Sequence, residues 1–185
     1  EAALRVRDEH GGTVTVVTMG LPSACEVLRD SLFRGADRVA LITDRRAAAS
    51  DTLATSYILS CAVRRLKPDL VFCGRQAIDG DTAQVGPQLA EKIGYTLLTY
   101  MEDLAIEDDK VRVRRNIGSG TETCRAPLPV LLTVMESANV PRPAAMKRVM
   151  KHKKARSPAE VAKAVETDLP EATGEERVAE TRRRC

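Results

Sequence analysis

Aromatic residues are nearly missing from this chain. Of 185 residues three are Tyr, two are Phe and none is Trp. A core must therefore be built from Val, Leu, Ile and Ala, as in parallel α/β sheets. Histidine occurs only at His10 and His152, far apart, and no Ser/His/Asp or Cys/His set can be assembled, so nothing points to a catalytic base. The five cysteines (Cys25, Cys61, Cys73, Cys124 and Cys185) are scattered without a CxxC pair, which argues against a zinc site or a disulfide framework. Several lie in apolar segments, where a free thiol acts as a small hydrophobe. No apolar run approaches the about 18 residues of a membrane span, and no signal peptide is visible. The expectation is a cytoplasmic protein with no metal and no membrane span. A net charge of +3 with 30% charged residues is too slight to argue for nucleic acid, though it suits an acidic ligand or partner.

What is present is 43% hydrophobic residues, enough for one domain with a sizeable core. Apolar runs alternate with helical patterns. Thr13 to Thr18 reads as a buried strand after Gly11-Gly12, and Ser23 can cap a helix with Ala24, Val27, Leu28 and Leu32 as its apolar face. Gly35 stops that helix, and Arg38 to Thr43 is the next strand. Asp51 then caps a helix to about Leu66, with Leu53, Tyr57 and Cys61 on one face. Pro68-Asp69 breaks it before a short apolar strand, Leu70 to Cys73. A helix over Val85 to Ile93 and a strand over Thr96 to Met101 follow. This βαβα series predicts a parallel sheet with ligands bound beyond the carboxyl ends of its strands. Leu104–Glu107 and Val111–Arg115 flank Asp108-Asp109-Lys110 as a hairpin, and Val130 to Val134 is one more buried strand. From Pro141 the composition turns polar. The stretch 147–156 holds six Lys and Arg plus His152 and no acid, by composition alone a solvated helix face. A nucleotide-binding part, 1–140, and a C-terminal arm, 141–185, are expected.

The chemistry concentrates after the strand that ends at Cys73. Gly74 lets the backbone turn, and Gly80 allows a close approach or a positive φ. Arg75, Gln76, Ala77, Ile78, Asp79, Asp81, Thr82, Ala83 and Gln84 fill the loop, and Val85-Gly86 opens a helix with Pro87 in its first turn, where a missing N–H is harmless. Unpaired N–H groups backed by the helix dipole make a ready anion site, with Thr82 and Gln84 as added donors and Arg75 offsetting charge. Asp79 and Asp81 would repel phosphate, so they are expected to cap the helix, brace the loop or accept a ribose hydroxyl. From the residues alone two readings stand: a nucleotide-phosphate loop, or a polar strand-to-helix connection.

The stretch GRQAIDGDTAQVGP, residues 74–87, closely resembles the adenine-nucleotide loop of electron transfer flavoprotein β subunits. Its Gly80, Thr82-Ala83-Gln84 and Val85-Gly86-Pro87 are similar to the bifurcating branch, which binds a second FAD; the conventional branch places AMP there, in a more acidic, Asn-containing loop. Asp51 to Ser56 resembles a DTxATS element of that branch, which implies that Thr52 and Thr55 lie beside the flavin. Met19, after Val16 to Thr18, stands where a backbone contact to the nucleotide falls. Residues 113–133 resemble the β-subunit signature, with departures at Gly118, Ser119 and Cys124. Pro141-Arg142 and 146–154 resemble the partner-recognition helix, which implies docking through Met146, Lys147 and Met150.

The resemblance implies a three-layer α/β/α, mostly parallel sheet of the adenine-nucleotide-binding (HUP-like) type. It implies a β subunit that binds FAD (or AMP) at Met19, Thr52, Thr55 and 74–85. That subunit would pair with an α subunit, serve an acyl-CoA-type or other flavin dehydrogenase, and carry electrons rather than act as a stand-alone enzyme. A stand-alone adenine-nucleotide-binding domain of the same superfamily is the alternative from another class. The family opens with a strand that would lie ahead of Glu1, so the chain is expected to be truncated at its N-terminus.

Overall fold

The computed structural model describes residues 1–155. The tail from Arg156 on, including the last residue of the basic run, lies outside them. The described residues divide into two compact units, one formed by 1–14 with 44–142, the other by 15–43 with 143–155.

The larger unit is built on a five-stranded sheet. Its elements in chain order are α1 (Ala2–His10), α3 (Thr52–Leu66), β3 (Leu70–Gly74), α4 (Val85–Ile93), β4 (Thr96–Glu107), β5 (Lys110–Asn116), β6 (Thr121–Pro127) and β7 (Val130–Val134). The spatial order is β3-β7-β4-β5-β6. β7 runs parallel to β3, with Leu70 opposite Val130 and Cys73 opposite Thr133, and parallel to β4, with Leu98 opposite Leu132. β5 and β6 are antiparallel additions.

Strand β7 is flanked on both sides and covered on both faces, so its residues alternate between two cores. Val130 and Leu132 join Leu98, Met101, Val111, Val113 and Ala126, with Ala2 of α1 packed against them. Leu131 points the other way and joins Val63 of α3 with Leu89 and Ala90 of α4. Helices thus lie on both faces of a largely parallel sheet, and the three-layer expectation is met. Burying each such Leu contributes about 2 kcal/mol. β5 shows the alternation of a strand with one covered face, its Val111 and Val113 buried and Arg114 between strand and solvent.

Two local rules place α4. Gly86 sits where a Cβ would come within 2.9 Å of Thr133 Cγ2, so only glycine lets the start of α4 close onto β7. Asp51 caps α3 as expected, its carboxylate accepting from the Ala54 N–H at 2.7 Å. The Leu53/Tyr57/Cys61 face of α3 exists but faces outward, with Leu53 57% and Tyr57 59% exposed and the Lys92 ammonium 5.7 Å from the Tyr57 ring centre. The buried stripe is Ser56, Ser60 and Val63 instead. Each serine donates to a carbonyl one turn back, Ser56 to Leu53 and Ser60 to Tyr57, so small satisfied side chains let α3 lie close on α4.

The expected strand at 96–101 and the first arm of the hairpin are one strand. β4 runs unbroken to Glu107, with a register shift between Met101 and Asp103 and Tyr100 at φ 54°. The Tyr100 N–H leaves the ladder and donates to Thr133 Oγ1 at 3.0 Å. At the other end of this unit Arg142 grips α1, bonding the Glu1 carboxylate at 2.9 Å and Asp8 at 2.8 Å.

The smaller unit holds β1 (Thr15–Met19), α2 (Cys25–Arg34), β2 (Arg38–Ile42) and α5 (Met146–His152). β1 and β2 pair in parallel, with Thr15 opposite Arg38 and Met19 opposite Ile42, and α2 connects them. Leu28 and Leu32 bury the inner face of α2, but Val27 is exposed, which corrects its expected place in the apolar face. β1 is half-buried rather than buried, because among the described residues β2 is its sole partner. α5 is tied to α2 by the Ala145 N–H donating to the Phe33 carbonyl at 3.0 Å, and to the turn after α2 by Arg148 donating to the Ala36 carbonyl at 3.1 Å.

Candidate nucleotide-binding site

At the carboxyl end of β3 the chain leaves the sheet, held to the neighbouring strand by the Arg75 N–H donating to the Val134 carbonyl at 3.2 Å. Residues 75–84 form an exposed loop closed on itself by the Asp81 N–H donating to the Ala77 carbonyl at 3.0 Å. The positive φ expected of Gly80 falls on Asp81 (46°) and Ala83 (52°) instead. Gly74 likewise keeps an ordinary strand conformation as the last residue of β3. The acids therefore carry the turn. Asp79 Oδ1 accepts from the Gly80 N–H at 2.9 Å, and Asp81 Oδ1 accepts from the Gln76 side-chain amide. Both carboxylates brace the loop and neither caps α4. Arg75 is exposed, and Ile78 stands fully exposed at the tip.

The loop delivers the chain to the start of α4 beside the start of α3, and the two helix ends differ. α3 is capped by Asp51. Gln84, at the N-cap of α4, makes no side-chain cap bond. The first-turn N–H groups of a helix have no acceptor within it, and Pro87 lacks one, so Val85 and Gly86 are the donors left at this end. The helix dipole favours negative charge there. An anion is thus the chemistry that α4 accepts and α3 has already satisfied.

Side chains of the two helices meet at this end. Thr52 Oγ1 donates to Gln84 Oε1 at 2.9 Å, and Gln88 Nε2 donates to Thr52 Oγ1 at 3.4 Å. The fully buried Ser56 hydroxyl reaches Gln88 Oε1 at 3.1 Å. Thr55 is half-buried one turn into α3, and Thr82 is exposed in the loop. Beneath them burial pushes the Cys73 thiol up to about 11, so it stays neutral at physiological pH.

Of the expected site residues, Thr52, Thr55 and 74–85 thus belong to one unit, gathered at the starts of α3 and α4. Met19 ends β1 in the other unit. Met146 (74% exposed), Lys147 and Met150 (59%) share the outward side of α5. Gln88 and Ser56 were not anticipated. Their signal is a doubled spacing: Gln84/Gln88 and Thr52/Ser56 are each i, i+4 polar pairs, which face one another only once α3 and α4 are known to be neighbours.

Among the described residues no helix is long and apolar enough to cross a membrane. A sequence profile described as "Electron transfer flavoprotein domain" matches residues 1–169. The chain is 49% identical over 142 residues to "Electron transfer flavoprotein subunit beta" of Thermoanaerobacterium thermosaccharolyticum, covering 77% of this chain and 55% of that protein. It is 49% identical over 154 residues to "Protein FixA" of Azorhizobium caulinodans, covering 79% and 55%. It is also 49% identical over 144 residues to "Caffeyl-CoA reductase-Etf complex subunit CarD" of Acetobacterium woodii, covering 77% and 55%. The chain spans about half the length of these relatives.

Proposed function

The chain belongs to the electron transfer flavoprotein family, as a β subunit, and on that footing we propose that it binds FAD through the phosphates at the start of α4. The observation that carries this reading is the uncapped start of α4 beside the capped start of α3. The residues fit a dinucleotide's phosphates. Val85 and Gly86 would supply main-chain N–H groups, Gln84 and Thr82 side-chain donors, and Arg75 a cation, while Asp79 and Asp81 each engage one oxygen inside the loop. Gly74 and 76–78 form the rest of the cradle, and Thr52 and Thr55 flank it from α3; Met19, expected as a main-chain contact, belongs to the other unit.

Bound FAD would supply one- and two-electron redox chemistry; the chain's part is to hold and orient it. The run Thr82-Ala83-Gln84-Val85 favours FAD, and with it bifurcation of an electron pair from NADH, over a structural AMP. The chain would work as half of an αβ heterodimer in the cytoplasm. Residues 1–140 would serve the nucleotide and 141–185 the partner, with Met146, Lys147 and Met150 contacting a flavin dehydrogenase. A relative named as part of a caffeyl-CoA reductase complex supports an acyl-CoA-type partner. The test is a nucleotide count on the denatured, purified αβ complex. Two FAD per heterodimer support the proposal; one FAD with one AMP overturns it.

A further inference from the structure

Strand β4 carries one residue more than its neighbour. Leu98 stands opposite Leu132 and Met101 opposite Val134, so three steps along β4 match two along β7. Leu98 and Met101 both belong to one core, where strict alternation would have placed Tyr100 instead of Met101. The extra residue buries Met101 to 1% exposure and leaves Tyr100 38% exposed. Tyr100 also sits at φ 54°, a region that glycine enters freely and a bulky side chain does not. Its N–H is satisfied by Thr133 Oγ1 at 3.0 Å, and among the described residues no hydrogen bond holds its hydroxyl. An unfavourable backbone that keeps a bulky side chain half in solvent points to a use for that side chain.

Its place says which use. The spatial order is β3-β7-β4, and Gly86 at the start of α4 rests on Thr133 of the middle strand. One threonine side chain thus touches both the first turn of α4 and the main chain of Tyr100. The loop 75–84 leaves the sheet on the β3 side, and Tyr100 stands on the β4 side, two strand spacings or about 10 Å across. Of the three tyrosines in this chain without tryptophan, Tyr57 meets Lys92 and Tyr95 bonds the Pro68 carbonyl, which leaves Tyr100 beside the site.

We propose that Tyr100 contacts the ligand, its ring stacking on the flat heteroaromatic ring of the nucleotide whose phosphates bind at the start of α4. This rests on that phosphate reading. The loop and α4 take the phosphates, and the β4 side takes the ring. A tyrosine face accepts any flat ring, so adenine and isoalloxazine are two sources of the same chemistry.

The experiment is titration calorimetry on the full chain with pyrophosphate, ADP and FMN, which present phosphate alone, phosphate with adenine and phosphate with flavin. Tyr100→Asn removes the ring with a residue that tolerates the left-handed backbone. It should weaken ADP, FMN or both about tenfold and leave pyrophosphate unchanged, and the nucleotide that loses affinity identifies the ring. Tyr100→Phe keeps the face and should bind within about twofold of wild type. Tyr100→Gly repeats the test should Tyr100→Asn fold poorly. If ADP and FMN both bind the ring-less variants as they bind wild type, the proposal is overturned. The same holds if pyrophosphate weakens in step, which is the mark of a merely structural role, or if Tyr100→Phe loses as much as Tyr100→Asn. If wild type does not bind pyrophosphate, the phosphate reading itself falls and this inference with it.

Discussion

Gly86 joins the packing of the sheet to the geometry of the site, and replacing it with alanine puts numbers on that link. In an open helix the change would stabilise by up to about 1 kcal/mol, because glycine is the weaker helix former. Here the new methyl would stand 2.9 Å from Thr133 Cγ2, with Cys73 Cβ at 3.7 Å behind it. Relief by pushing α4 outward is overpacking, costing about 1–3 kcal/mol. Relief by rotating Thr133 would withdraw the oxygen that accepts the part-buried Tyr100 N–H, a loss of about 1 kcal/mol. Set against the helix gain, Gly86→Ala should cost about 1–2 kcal/mol net. In urea that lowers the unfolding midpoint by about 1 M or somewhat less, at the slopes usual for small domains. Thr133→Ser keeps the oxygen and deletes the methyl. In its background Gly86→Ala should become neutral or stabilising, a coupling of about 2 kcal/mol in a double-mutant cycle followed by circular dichroism. ADP affinity should fall in Gly86→Ala and recover with Thr133→Ser, since the displaced residues carry the open N–H groups. A stabilising Gly86→Ala single variant, or a cost that survives Thr133→Ser, refutes the close-approach argument.

Hydrogen bonds from Arg142 hold the Glu1 carboxyl below the usual carboxylate range. A lowered folded value means that the contribution is complete above about pH 4.5 and fades as pH falls through the folded value. Arg142→Met should therefore cost about 1 kcal/mol at pH 7, with the gap to wild type closing in urea titrations run below pH 4. The Cys73 thiol, raised to about 11 by burial, has the opposite sign: its contribution is present below about 9 and is lost as pH rises from there toward 11. At pH 8 iodoacetamide followed by peptide mass mapping should modify the exposed Cys61 well before Cys73. Met146→Glu with Met150→Glu changes two exposed side chains, so the melt should not move. Capture of a partner dehydrogenase should fall about tenfold, and unchanged capture would remove α5 from the docking surface.

Local pattern located most of the elements. β3, α4 and β7 begin and end within a residue of where apolar runs and Pro68-Asp69 put them, and the Asp51 cap is where its residue type says it should be. Misreadings arise where the decisive fact is nonlocal. Thr121–Pro127 has no apolar alternation because β6 is a sheet edge with only Ala126 buried, and nothing in it announces a strand. α3 looks apolar along Leu53 and Tyr57, yet a close neighbour helix prefers the small Ser56 and Ser60, whose hydroxyls are satisfied within their own turn. In the loop, glycine suggested the left-handed turn, but aspartate tolerates it when its side chain is tied down, as at Asp81. The residues proposed to face phosphate were legible as residue types; the Ser56–Gln88 contact was not, because its two halves are 32 positions apart.

The place of β7 has a consequence for how the molecule is made. It is the last strand of its sheet to be synthesised and lies between β3 and β4, strands completed some way earlier. Until residues 130–134 emerge, β3 and β4 have no common partner, Leu89 and Ala90 have no Leu131 to cover, and α4 has no Thr133 to lean on. Pairings of such sequence separation are slow to close, and edges left waiting are open to wrong partners. The proposed nucleotide corner is thus among the last parts of this unit to become rigid. A ligand that favours the finished sheet would draw the late strand into its slot, so nucleotide supply during synthesis should raise the yield of correctly folded chain.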